Sequence, residues 1–167
     1  MEFVIKDFET KYADSLNNLA LEAFGEYRNA YNDWPAFSKK ISDMASFADH
    51  AEIIVATQSD ALVGAVVYVG PDRPKSDIFA SDWAVLRMLV VAPQNRGLGI
   101  GKALTQECIQ RAVRDNASHI GLHTSPVMKV ALPMYSRMGF VKQTNVADIY
   151  GVPYAVYAKN VSSQSKK

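Results

Sequence analysis

Three glycines at alternate positions constrain this chain more than any other feature of its sequence. Gly97, Gly99 and Gly101 lie between an apolar run that Pro93 stops and a segment, 102–113, with apolar residues at helical spacing. A glycine loop between a strand and a helix directs backbone N–H groups toward one point, where the helix N-terminus adds partial positive charge. Such a loop can hold phosphate, although three glycines can also form a tight turn and nothing more.

Two common phosphate-binding loops do not match these glycines. A P-loop, GxxxxGK(S/T), requires Gly at 96 and Ser or Thr at 103, where this chain has Arg96 and Ala103. A dinucleotide fingerprint, GxGxxG, requires Gly at 102, where the chain has Lys102. It also requires an acidic residue about 20 residues further on, and the region around Gly121 has none.

The apolar pattern predicts seven strands and four helices. The strands are expected over 3–7, 52–58, 62–69, 83–91, 119–124, 140–144 and 153–159. The helices are expected over 12–24, 38–47, 102–113 and 126–138, the last with Pro126 in its first turn. Strands and helices mix without an internal repeat, which predicts one α/β or α+β domain over 1–167 with a flexible tail at 162–167.

Composition narrows the class of protein. The net charge of +1 gives no broad basic surface, so we expect no nucleic acid partner. No run approaches the roughly 20 apolar residues that cross a bilayer, so we expect no membrane association. The first residues lack a signal-peptide pattern, and the single cysteine, Cys108, fits a reducing compartment, so we expect a cytoplasmic protein.

Two segments resemble motifs of one superfamily. Segment 86–104 closely resembles the cofactor-binding motif of the GNAT superfamily of N-acetyltransferases, whose core (Gln/Arg)-x-x-Gly-x-(Gly/Ala) is present as Gln94, Gly97 and Gly99. Segment 131–140 is similar to the superfamily's later motif, an apolar residue followed by tyrosine and then Gly-Phe. The two motifs occur in the expected order, which makes the pair stronger evidence than either alone.

The resemblance, which extends over 52–141, implies a fold and a cosubstrate. It implies a twisted, V-split, mostly antiparallel sheet of about six to seven strands flanked by about four helices. Acetyl-coenzyme A would lie in the V without any metal, its pyrophosphate on the glycine loop and its pantetheine arm along the preceding strand. Many members have asparagine where this chain has Met128. The implied cofactor-binding residues are Leu89, Val90, Val91, Gln94, Arg96, Gly97, Leu98, Gly99, Ile100, Gly101, Lys102, Met128 and Ala131.

The resemblance also implies catalytic residues. Tyr135 lies at the tyrosine of the later motif, and its phenol, protonated at neutral pH, can act as the general acid for the departing thiolate. Many members carry a glutamate, the general base, on the strand before the glycine loop. That position is Val85 here, so Asp82, Glu52 and His123 remain as alternative bases.

The acceptor side is expected in the variable segments. Tyr27, Tyr31 and Trp34, with the loop 71–82, are candidates for a substrate-binding pocket, or the aromatics pack as part of the core. We predict an acetyl-coenzyme A-dependent N-acetyltransferase, monomer or homodimer, whose acceptor is a primary amine of a small molecule, an amino acid or a protein. The alternatives are a non-catalytic acyl-coenzyme A sensor or scaffold and a nucleotide-binding protein.

Overall fold

A seven-stranded sheet organises the chain, and the computed structural model describes residues 2–162 of it. The order across the sheet is β1-β2-β3-β4-β5-β7-β6, in which β4 and β5 are parallel and the other neighbours are antiparallel. The strands are β1 Val4–Asp7, β2 Glu52–Gln58, β3 Ala61–Val69, β4 Ala84–Val91, β5 His119–Thr124, β6 Val141–Ile149 and β7 Val152–Asn160.

Within residues 2–162, the two faces of this sheet are covered by four α-helices and three 3-10 turns. The helices are α1 Ala13–Gly25, α2 Trp34–Ile41, α3 Ile100–Arg114 and α4 Ala131–Arg137. The 3-10 turns are Thr10–Tyr12, Met44–Asp49 and Pro93–Asn95. The predicted mixed α/β fold with a mostly antiparallel sheet is confirmed, and every predicted strand is present. None of the helices within residues 2–162 is long and apolar enough to cross a bilayer.

Successive residues of the central strands divide between two cores, because side chains alternate across a sheet. On β2, Ile54 packs in the core under α3 and α4, whereas Ile53 and Val55 pack in the core under α1. The prediction of one domain over 1–167 remains a prediction. Of its predicted tail, 163–167 lie outside the described residues.

Two predicted helices begin at other residues in the structure. The helix predicted over 38–47 begins at Trp34, because the Asp33 side chain accepts a hydrogen bond from the Ala36 N–H at 3.2 Å and caps the first turn. The helix predicted from Pro126 begins at Ala131. Pro133 explains this difference, since a proline without an N–H fits the first turn of a helix and breaks its interior.

The last two strands are longer than predicted and form a hairpin. Tyr150 and Gly151, both with positive φ (45° and 82°), connect Ile149 to Val152 in a two-residue turn. The strand prediction missed residues 145–149 because their mixed polar sequence has no buried face, and β6 is an exposed edge strand.

The sheet splits between β4 and β5. Their pairing consists of Ala84 with Ile120 and Val85 with Gly121, after which the two strands diverge toward their carboxyl ends. At this apex a Cβ on Gly121 would lie 2.7 Å from Cε3 of Trp83, so the close approach of the indole requires glycine there. The predicted V-split is confirmed, and the divergence opens a cleft.

Candidate active site

The cleft between β4 and β5 has a volume of about 840 Å³, within the range of cofactor and small-molecule sites. Residues 86–91 of β4 form one wall, and Leu122, His123 and Thr124 of β5 form the other. Helix α4 and the start of α3 close one side, and residues of α1 and α2 close the opposite side. The cleft is therefore built from segments distant in sequence, which the sheet topology brings together.

The glycine loop forms one end of the cleft. Gly97 and Gly99 have φ of 82° and 83°, and Gly99 is the residue that precedes α3. A Cβ at either position would meet no atom within 4 Å, so the backbone conformation, and not crowding, requires glycine. In the part of the chain that the structure describes, no side chain caps α3, and its first internal bond runs from the Ala103 N–H to the Gly99 carbonyl at 3.0 Å. The preceding amides of 100–102 are thus open to an anion.

The predicted cofactor residues divide into two groups. Eleven of the thirteen line the cleft: Leu89, Val90, Val91, Arg96, Gly97, Gly99, Ile100, Gly101, Lys102, Met128 and Ala131. Gln94 and Leu98 do not, and the Leu98 side chain lies exposed on the outer surface of the loop.

Sequence reasoning missed Glu26, which lies at the end of α1 and accepts a hydrogen bond from Arg96 at 2.5 Å. This bond raises the pKa of Arg96.

A β-bulge interrupts β4 beside the loop. Val67 pairs with Arg87 and Ala65 with Val90, so three steps on β4 oppose two on β3. Met88 at the bulge has φ of 52°, a conformation that is rare for a long side chain and common at functional sites. Because a bulged residue leaves the ladder, backbone groups of β4 lack partners on β3 at this point, next to the cleft.

Tyr135 lies on α4 at the wall of the cleft. Its ring packs 5.6 Å from that of Phe140, and the side chain is 4% exposed. Burial raises the pKa of Tyr135, so the phenol stays protonated. Its hydroxyl forms no side-chain hydrogen bond within residues 2–162, yet this part of the chain has no fully buried polar atom without a partner. The hydroxyl oxygen is therefore not fully buried, and its residue lines the cleft.

Only one of the three candidate bases lines the cleft in the described chain. His123 does so from β5, with its ring 5.2 Å from Tyr154 and 6.1 Å from Phe79. Burial, with a smaller contribution from the positive charge of Arg87, lowers the pKa of His123 to about 4. Its imidazole is neutral at pH 7 and is a weak proton acceptor.

Glu52 and Asp82 lie away from the cleft. Both oxygens of Glu52 are occupied, one by Arg111 at 2.7 Å and the other by Arg114 at 2.9 Å. Asp82 is exposed just before β4, at the joined end of the V, where its carbonyl accepts a hydrogen bond from the Ser118 N–H at 3.3 Å. No Asp or Glu among residues 2–162 lines the cleft.

The predicted acceptor residues are also separated. Tyr27 lines the cleft, whereas Tyr31 and Trp34 pack behind it. Tyr31 stacks on Phe37 at 4.2 Å and its hydroxyl shares a hydrogen bond of 2.5 Å with that of Tyr154. The loop 71–82 contributes no lining residue. Sequence reasoning missed other residues that line the cleft, which are Phe24, Lys40, Phe47, Arg87, Tyr150 and Tyr154. Of these, Arg87 gave a signal, since it is a charge inside an apolar strand.

The chain is similar to known proteins in its sequence and in its fold. The model of the acetyltransferase (GNAT) family matches residues 13–140. No protein with a curated description matches the sequence.

Several solved structures share the fold at low sequence identity. One is an acetyltransferase of the GNAT family from Staphylococcus aureus, 18% identical over 96% of this chain and 99% of that chain, with a TM-score of 0.71. Another is the PaiA N-acetyltransferase from Thermoplasma acidophilum in complex with coenzyme A (17% identity, 96% and 99% covered, TM-score 0.69). A third is a ribosomal-protein-alanine N-acetyltransferase from Brucella melitensis (19% identity, 94% and 99% covered, TM-score 0.67).

Proposed function

Because the chain belongs to the acetyltransferase (GNAT) family and is an acyltransferase, we propose that it transfers the acetyl group of acetyl-coenzyme A to a primary amine. One observation carries the proposal: uncapped amides at the start of α3 face the cleft that the divergence of β4 and β5 opens. A diphosphate fits such a group of donors, because the helix N-terminus adds partial positive charge and Lys102 and Arg137 line the same cleft.

The position that we propose for the pantetheine arm follows from the shape of the cleft. An extended chain can lie beside β4 where β5 has diverged, and can hydrogen-bond to backbone groups of 89–91 as a short additional strand. Met128 and Ala131 offer an apolar surface to the other side of the arm. Met128 packs against the arm but does not replace the hydrogen bonds of an asparagine amide.

Transfer then requires one bond to form and one to break. The amine nitrogen attacks the thioester carbonyl carbon, a C–N bond forms, and the C–S bond breaks as the sulfur takes the electron pair. Backbone N–H groups near the bulge can stabilise the charge that develops on the carbonyl oxygen. Tyr135 donates its proton to the departing sulfur and recovers one from water, since its hydroxyl is protonated and its residue lines the cleft.

The acceptor must also lose a proton, and the cleft offers little help. No carboxylate within residues 2–162 lines it, and His123 is a weak acceptor. The amine therefore enters neutral, and the proton that its nitrogen loses as the amide forms passes to water. Among otherwise equal acceptors, an amine of lower pKa is more often neutral and reacts faster.

Replacement of the loop glycines tests the proposal. Alanine at Gly97 and Gly99 together forces two side chains into positive φ, at about 1–2 kcal/mol per residue, and moves the amides out of position. We expect calorimetric affinity for acetyl-coenzyme A to fall at least about tenfold, as 1.4 kcal/mol corresponds to a factor of ten. Gly25→Ala is the matched control, because that helical glycine has open space around it and lies outside the cleft.

Unchanged affinity in the double variant, or no binding by the wild type, would contradict the proposal.

The absence of a carboxylate among the described residues that line the cleft favours a second candidate, a non-catalytic acyl-coenzyme A sensor. Release of free thiol from acetyl-coenzyme A across a panel of amines separates the two, since a sensor binds the thioester without consuming it.

A further inference from the structure

Arg87 is a charged side chain within an apolar strand, and its position is unusual. It pairs in register with Val67, so the two side chains share the face of the sheet that α1 and the Met44–Asp49 turn cover. Its guanidinium carbon lies 5.1 Å from the centre of the Phe47 ring. In the described chain, Arg87 forms no ion pair and no hydrogen bond through its side chain.

The guanidinium opens into the cleft. Arg87 is half-buried and lines the cleft, and no fully buried side-chain nitrogen in 2–162 lacks a partner. Its nitrogens therefore reach the open space. Burial lowers the pKa of Arg87, yet arginine stays protonated in proteins. A permanent cation with five donors is thus kept in a partly desolvated position without an internal acceptor.

The surroundings of Arg87 are positive and apolar. Lys40 lines the same half of the cleft, 5.2 Å from the centre of the Tyr150 ring. Phe24, Phe47 and Tyr154 supply apolar surface there. Without a carboxylate among the described lining residues, this half repels a cationic ligand and attracts an anionic one. The attraction is stronger than at an open surface, because the cleft excludes part of the water.

We propose that the acceptor is an apolar amino acid whose free carboxylate pairs with Arg87 while its amine faces the thioester. This inference rests on the proposed function and narrows its substrate. Across the bulge, Arg87 and Val90 pair with Val67 and Ala65, which are two residues apart on β3, about 7 Å at 3.3 Å per residue. One small molecule and the arginine side chain can bridge this span. The guanidinium can bind a carboxylate through two parallel hydrogen bonds, and the aromatic lining receives the apolar side chain.

Matched pairs of acceptors test the inference. Leucine, methionine, phenylalanine and tryptophan are each assayed against their carboxamides by thiol release from acetyl-coenzyme A. The carboxamide amines are less basic and hence more often neutral, so any preference for the acids opposes intrinsic reactivity. We expect kcat/KM for at least one acid to exceed that of its amide by about tenfold or more, as a charge-assisted bidentate contact provides.

Substitution of Arg87 tests whether this residue causes the preference for acids over carboxamides. Arg87→Gln is expected to lower kcat/KM for the acid about tenfold or more and to leave the amide within about twofold, because only the acid loses a charged partner. KM for acetyl-coenzyme A should not change. Arg87→Lys should retain part of the preference, and Arg73→Gln, an exposed arginine outside the cleft, should behave as wild type.

A binding measurement keeps the inference falsifiable if turnover is low. With coenzyme A bound, 3-phenylpropanoate should bind the wild type in calorimetry and should not bind the Arg87→Gln variant. The amide 3-phenylpropanamide should bind neither protein.

Equal use of acids and amides, or a folded Arg87→Gln variant with an unchanged preference for acids, overturns the inference but leaves acetyl transfer intact. So does a wild type that neither acetylates these acids nor binds 3-phenylpropanoate. Failure of the wild type to bind coenzyme A instead overturns the proposed function.

Discussion

At Tyr135 and His123, burial acts on two side chains with opposite chemical uses. Removal from water disfavours the charged form of each. The pKa of Tyr135 rises, so its phenol is protonated at neutral pH, and the pKa of His123 falls to about 4, which keeps its imidazole neutral. The same cleft thus holds a protonated hydroxyl and a weak proton acceptor.

Tyr135→Phe provides the first prediction at this scale. We expect kcat to fall by about 10²-fold or more, because the departing sulfur loses its proton donor, while KM for acetyl-coenzyme A stays nearly constant. Stability should change little, since the hydroxyl has no internal hydrogen bond within the described residues. Tyr157→Phe, outside the cleft on β7, is the control. Steady-state kinetics with normal kcat in Tyr135→Phe would remove the tyrosine from the mechanism.

His123 provides the second prediction, a dependence of stability on pH. Its folded pKa, about 4, lies below the ordinary 6.5, so between these values the unfolded chain binds a proton that the folded chain does not. The free energy of unfolding should therefore fall as pH decreases from about 6.5 to about 4. The contribution is on the order of 1–2 kcal/mol after allowance for partial exposure.

Urea unfolding of wild type and His123→Leu across this pH range checks it. Carboxylates also titrate there, so the informative quantity is the free energy of unfolding of the wild type minus that of His123→Leu. This quantity should decrease steadily as pH falls from about 6.5 to about 4. His50→Gln, at an exposed position, should parallel the wild type. A constant difference between wild type and His123→Leu would contradict the assigned pKa.

At the scale of elements, local signals predicted the strands and α3 well. Apolar periodicity located β4, the glycine loop and α3 together, because all three are contiguous in sequence. The starts of α2 and α4 depended on single residues, the Asp33 cap and Pro133, whose effects outweigh periodicity. The bulge at Met88 was not predictable, since it arises from the register between two strands.

The candidate site was predictable only where one segment builds it. The half that we propose for coenzyme A lies on the loop and its flanking elements, and the motif predicts eleven of the residues that line the cleft. The acceptor half combines side chains of α1, α2, β4, β5 and the β6–β7 hairpin. Their proximity depends on the topology of the whole sheet, so Arg87 and Lys40 could not be associated with one another from sequence. The position of Glu52 away from the cleft also depends on the topology of the sheet, so it could not be predicted from sequence.

At the scale of the molecule, two halves of the sheet meet at a narrow apex. Gly121→Val should crowd Trp83 and weaken this junction, at about 1–3 kcal/mol for an overpacked core site. The melting temperature should fall by roughly 2–12 °C for a chain of this size, and affinity for acetyl-coenzyme A should fall with it as the V changes its angle. Differential scanning calorimetry and titration measure the two effects.

A second substitution identifies the cause. Trp83→Leu in the Gly121→Val background removes the ring that the new side chain meets, and should recover part of the melting temperature. If the double variant is less stable than the sum of the single changes, crowding at the apex is not the origin of the loss.

The contact between Arg96 and Glu26 connects the glycine loop to the far end of α1 before any ligand arrives. Ordering a free loop costs conformational entropy, which binding would otherwise have to overcome. Here folding itself meets part of that cost, and the loop is pre-organised for the anion that we propose. On this proposal, a carboxylate outside the cleft contributes to affinity for a ligand that it need not touch.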